Sequence, residues 1–322
     1  MGGVEAFLVI GAFFLTRKQL KVEHTNIRIV NSFIRRIKRL YPIYLTLLIL
    51  ATLGFVYVTH SITDEPLWYL FSLQNFRCLF ESASYSLDGF LGHFWYIGLD
   101  VWLFLIWVIL MRFVPKHLLR GVFTLTLIIG LLWRTSFILF MPDNPSASYV
   151  IPFGQMDSWS IGGLVALNTG EKGKNDKLMY GEMLVGLIGI ILLIILNAFL
   201  HQTSICEGYL SFRTAGGYMT HPLAGNIHLF IGILSAGMLR YCIDPSRRHP
   251  VLSSSALVAL GGITYELYCF HYPIQVVAKH FISNQLLMVI AALVITCIVS
   301  LIWSKWLTPV VNKIIKNGAS NY

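Results

Sequence analysis

Apolar residues come in runs of near 20 positions, repeated from one end of the chain to the other, with polar residues gathered between them. The runs do not alternate apolar with polar, so they read as helices and not as strands. At about 1.5 Å rise per residue, about 20 residues cross the ~30 Å hydrocarbon layer of a bilayer. Nine spans are expected, over 4–16, 41–59, 95–114, 120–140, 151–168, 180–200, 223–240, 255–280 and 285–307. The predicted class is all-α: a polytopic helical membrane protein, one membrane-embedded domain over 1–322 with no fused soluble domain. After the second span, Pro66–Phe80 is rich in Trp, Tyr and Phe and reads as a helix lying in the outer interface. The stretch 201–222, with Gly216 and Gly217, reads as an irregular outer connection.

Charge then orients the bundle. Only 12% of residues are charged, against about a quarter in a soluble domain. Alternate loops hold Arg17 to Arg39, Arg112 to Arg120, Lys172 to Lys177, Arg240 to Arg248 and Lys305 to Lys316, which puts 20 of 24 Lys and Arg on one side. The positive-inside rule makes that side cytoplasmic, in the cell membrane, with the C-terminus inside and Met1 outside. One further helix upstream would return the N-terminus to the inside. The net charge of +9 fits basic loops against anionic membrane lipids, with no nucleic-acid partner. No cleavable signal is read at the N-terminus. No Cys-x-x-Cys pair occurs among the five cysteines, so no metal or redox motif is expected. Cys78 and Cys206 fall on the same outer side, where a disulfide between them is open.

Ionisable side chains inside apolar spans cost about 2.5–3.5 kcal/mol at mid-membrane on insertion scales, so those present are functional candidates. They are Glu5, Asp100, Arg134, Asp157, Glu266 and His271, with His93 at a span edge. Counting residues from the loops puts most of them in the outer half, which predicts a polar cavity opening outward. The competing reading is structural: Arg134 and a carboxylate neutralise each other and lock two helices. His271 sits in ITYELYCFHYPIQ, where Pro273 frees a carbonyl one turn earlier. Histidine moves protons near neutral pH and a carboxylate such as Asp100 can orient it; a packed histidine is the alternative. His93 and Trp95 sit at the outer rim, either as site residues or as aromatic anchors. Arg36 and Arg39 of FIRRIKRLYP share a helix face, as a topology signal or as a site for phosphates. Among histidines in spans or at span mouths, His271 and His93 are taken as the two candidates for proton transfer.

The segments GGVEAFLVIGAFFLT, RRIKRLYPIY, HFWYIGLDVWLFLI, MDSWSIGGLVA and GGITYELYCFHYPI, in that order, resemble the acyltransferase-3 family of multipass membrane enzymes. Glu5 stands where that family has Asp, Asp100 where it has Glu, Trp102 where it has Gln, and Thr264 where it has Ser. The resemblance implies ten helices with both termini inside, of which the first would carry an Arg and, eleven residues on, a catalytic His. That helix has no counterpart here, so a truncated record or gene is expected and the activity of this form is left open. The resemblance further implies transfer of an acyl group, with acetyl foremost, from cytoplasmic acyl-CoA to a sugar hydroxyl of an envelope polysaccharide or its lipid-linked precursor. No tightly bound cofactor is expected; acetyl-CoA is a co-substrate. The expected catalytic residues are His271, Asp100, Arg134 and His93. The expected substrate-binding residues are Arg36, Arg39, Trp95, Asp157, Tyr265 and Glu266. A glycolipid transporter or flippase, or an inactive remnant, is the rival reading; the absence of repeated halves weighs against a transporter.

Overall fold

The computed structural model describes residues 3–21, 26–80, 87–141, 147–169, 176–200, 202–207, 224–247 and 249–310. The connection around Gly216 and Gly217, and Lys313 and Lys316, lie outside these residues. In chain order the helices are α1 (Gly3–Lys21), α2 (Asn26–Thr59), α3 (Glu65–Leu70), α4 (Gln74–Arg77) and α5 (Asp88–Leu91). After a 3₁₀ turn (Gly92–Phe94) come α6 (Trp95–Phe113), α7 (Leu119–Phe140), α8 (Ala147–Val150), α9 (Met156–Asn168) and α10 (Asp176–Leu200). The last are α11 (Ile227–Ile243), α12 (Ser255–Gly262), α13 (Thr264–Phe281) and α14 (Gln285–Ile302). The described residues contain no strand, and five segments are long and apolar enough to cross a membrane: Asn31–Thr59, Asp88–Phe113, Lys116–Phe140, Asp176–Leu200 and Gln285–Val310. Shorter apolar helices join them, as α11 does. The chain is a polytopic helical membrane protein.

The span expected over 255–280 is two helices. Ile263 interrupts it, and Thr264 Oγ1 turns back to the Gly261 carbonyl at 2.9 Å. Two successive glycines before the break are poor helix formers. The helix expected from residue 41 starts at Asn26, so the basic run and the apolar span share one helix, with Pro42 inside it.

The fold divides into two compact units: Met1–Asn31, Gln74–Ser82 and Tyr96–Arg248 in the first; Ser32–Leu73, Ala83–Trp95 and His249–Tyr322 in the second. The first unit is centred on α1, α9 and α11, whose Val9, Phe13, Ile161, Val165, Ala236 and Leu239 form a buried apolar cluster. The backbones come close because Gly162 has no Cβ; one placed there would fall on the Val9 carbonyl oxygen. On α10, Gly189 likewise lies against the Phe230 ring of α11. Small residues at helix crossings are the usual source of tight packing in lipid, where no hydrophobic effect drives association. Arg240–Glu182 at 2.8 Å and Arg247–Asp176 at 2.9 Å tie the other ends of α10 and α11.

In the second unit the segment after α2 folds back along it. Tyr44 OH donates to the Tyr69 carbonyl at 2.6 Å, and Tyr41 OH and Ser72 Oγ share a hydrogen bond at 3.1 Å. Tyr44 precedes the end of α2 at Thr59 by about 22 Å of helix rise. The aromatic stretch expected as one interfacial helix is therefore broken into α3 and α4, and α3 packs on the middle of α2. Its buried groups explain the return: Glu65 Oε2 takes the Leu87 N–H at 3.0 Å and Tyr69 OH donates to Asp88 Oδ1 at 2.7 Å. All five cysteines are free thiols, and Cys78 Sγ donates to the Asn75 carbonyl at 2.9 Å, so the Cys78–Cys206 bridge is not formed.

Candidate functional site

Two histidines meet in the second unit. His93 lies in the 3₁₀ turn before α6, and its ring centroid is 5.1 Å from that of His271 on α13. Tyr268 and Tyr272 of α13 flank His93 at 5.4 Å and 5.2 Å. His93 Nε2 is 3.1 Å from the Cys269 carbonyl, and His271 Nδ1 is 2.6 Å from the Tyr268 carbonyl. A carbonyl only accepts, so each contacting nitrogen carries the proton. In the neutral ring His271 then keeps a lone pair on Nε2, and His271 is exposed while His93 is buried. Tyr268 OH also donates to the His93 carbonyl. Phe94 stacks on Tyr44 at 4.7 Å and 19°. The turn is thus held on both sides.

That packing revises the depth of His93. Counting along the chain places it at the outer rim, but its neighbour Phe94 lies on Tyr44, only five residues past Arg39 of α2. Tyr265 OH donates to the Leu40 carbonyl at 2.6 Å, so α13 starts level with the end of the basic run. The return of the chain after α2 is the cause. Of the other expected residues in this unit, Arg36 is half-buried and Arg39 exposed on α2, Trp95 is half-buried at the start of α6, and Glu266 is buried.

The first unit holds a buried polar layer. Arg134 of α7 pairs with Asp157 of α9, at 1% and 0% exposure. Asp157 Oδ1 also takes the Ser158 N–H at 2.8 Å. Among the described residues, Arg134 Nε and Nη1 have no hydrogen-bond partner. His228 Nδ1 of α11 lies 2.6 Å from Glu5 Oε1 of α1, and Tyr149 OH donates to the same oxygen at 3.0 Å. The starts of α1, α9 and α11 meet around Tyr149, whose hydroxyl reaches Glu5, whose ring lies 4.7 Å from that of His228, and whose carbonyl accepts from Gln155 Nε2 just before α9. Glu5, Asp157 and His228 each fall in the first turn of their helix and so share a level. There the helix dipole favours the two carboxylates. Asp100 is buried on α6, between Tyr96, in ring contact with Phe7, and Trp107, which donates to Thr16 Oγ1 at 3.2 Å.

The histidine pair and the Arg134–Asp157 pair belong to different units. The sequence reading overlooked His228, an ionisable group within the expected span 223–240, although the cost of charge in lipid flags it as it flags Asp157. No cluster of groups suited to a metal ion occurs among the described residues. The acyltransferase domain of the acyltransferase-3 family matches residues 1–305. No curated protein and no solved structure matches the chain.

Proposed function

The chain belongs to the acyltransferase-3 family and is a membrane acyltransferase; from that premise we propose that it moves an acyl group, acetyl foremost, from acyl-CoA to a sugar hydroxyl. The acceptor in this reading is an envelope polysaccharide or its lipid-linked precursor. The observation that carries it is His271, whose Nδ1 is tied to a carbonyl and whose Nε2 is left as a base on an exposed side chain. Nε2 takes the acceptor hydroxyl proton as that oxygen bonds to the thioester carbon. The tetrahedral intermediate then collapses, the carbon–sulfur bond breaks, and the leaving thiolate recovers the proton from the imidazolium. The products are the ester and free CoA.

Arg36 and Arg39 suit the CoA phosphates, since guanidinium groups bind phosphate oxygens in pairs. Tyr44, level with the histidine pair, lies about 7.5 Å of helix rise past Arg39, which favours donor entry from the basic side. The test is transfer from labelled acetyl-CoA in membranes carrying the full-length protein. His271→Ala is expected to abolish transfer; wild-type transfer by a correctly inserted His271→Ala variant overturns the reading. Arg36→Gln with Arg39→Gln is expected to raise KM for acetyl-CoA about tenfold and leave kcat near the wild-type value.

A further inference from the structure

We propose that Pro273 is a positioning residue for His93: it leaves the Cys269 carbonyl unclaimed inside α13, and that carbonyl sets the tautomer and ring orientation of His93. The catalytic consequence rests on the expectation that His93 is a catalytic residue beside His271; the geometry does not. In an α-helix the carbonyl of residue i is bonded by the N–H of residue i+4. For Cys269 that residue is Pro273, which has no N–H. A buried carbonyl left unpaired costs free energy comparable to a lost hydrogen bond. The position is filled from 176 residues away, by His93 Nε2 at 3.1 Å.

The consequence is chemical. Because the Cys269 carbonyl has no proton to give, His93 carries its proton on Nε2 and keeps its lone pair on Nδ1. Nδ1 is buried and has no hydrogen-bond partner among the described residues. The turn bearing His93 is also pinned by the Tyr268 hydroxyl on its own carbonyl and by Phe94 on Tyr44. The ring therefore has one orientation and one tautomer, facing His271. An ordinary residue at 273 would supply an N–H that draws the Cys269 carbonyl along the helix axis. A carbonyl has two lone pairs, so the competition is over direction, not capacity.

The experiment uses the full chain in nanodiscs with ¹⁵N-labelled histidine, the His93 signals being assigned by their loss in His93→Gln. The wild type is expected to show His93 with Nε2 protonated and Nδ1 bare, and Pro273→Ala to shift both signals toward a mixture of tautomers. Unchanged His93 signals in a folded Pro273→Ala variant overturn the proposal. Should that variant fail to insert, an ester in place of the amide at Phe270 weakens the Cys269 carbonyl as an acceptor while keeping Pro273. The same shift is expected, and its absence again overturns the proposal. In activity, Pro273→Ala is expected to lower kcat about tenfold or more and to have no added effect in a His93→Gln background. If His93→Gln leaves transfer intact while Pro273→Ala still alters the His93 signals, the catalytic reading fails and the positioning stands.

Discussion

At the scale of single residues, the expense of charge in lipid is the most informative signal. It flags Arg134 and Asp157 among the ionisable residues of the expected spans, and the two are a buried pair. Breaking such a pair strands a buried charge, which costs about 3–5 kcal/mol, whereas replacing both partners with apolar groups is often near neutral. Arg134→Met is therefore expected to lower the thermal midpoint in detergent markedly, and Arg134→Met with Asp157→Leu to recover most of the loss. Equal destabilisation by the single and double variants would show that the pair is not coupled. His228 shows where residue-level reading stops short. An apolar helix carrying one histidine gives no hint of a carboxylate on another helix, and its contact with Glu5 spans 223 residues.

At the scale of elements, the apolar runs located the helices, because backbone groups in lipid have few other ways to be satisfied. Their ends and breaks depended on finer chemistry. The interruption at Ile263 follows two glycines and a threonine that bonds back to the helix before it, a signal weaker than the surrounding hydrophobicity. Glycines within helices look alike in sequence, yet they differ in space. A Cβ at Gly162 would land on the Val9 carbonyl, whereas one at Gly181 meets nothing within 4 Å. Gly162→Ala is expected to destabilise the first unit by about 1–3 kcal/mol, since backbone cannot give way as a side chain does. Gly181→Ala is expected to be neutral or stabilising by up to about 1 kcal/mol. Unfolding midpoints of the two variants in one detergent decide this.

For the whole molecule, the alternation of basic loops predicts which ends face the cytoplasm, and free cysteines offer a direct reading. Cys206 and Cys242 are both exposed thiols. Of variants retaining one cysteine each, the Cys206 variant is expected to react with a membrane-impermeant maleimide in intact cells. The Cys242 variant is expected to react only after permeabilisation. The reverse pattern would invert the orientation and move donor entry to the other face. The return of the chain after α2 also belongs to this scale. It carries His93 from an expected outer rim to the level of Tyr44.

By itself the sequence determined that this is a helical membrane protein, roughly where its helices run, and which buried charges need partners. Those follow from the solvent alone: lipid hydrogen-bonds no backbone and solvates no ion, so each residue answers locally. Which groups meet was decided by tertiary structure. Glu5 with His228, His93 with the carbonyl that Pro273 leaves open, and α3 along α2 are contacts between residues distant in the chain. They depend on helix direction, depth and facing, and local hydrophobicity encodes none of the three.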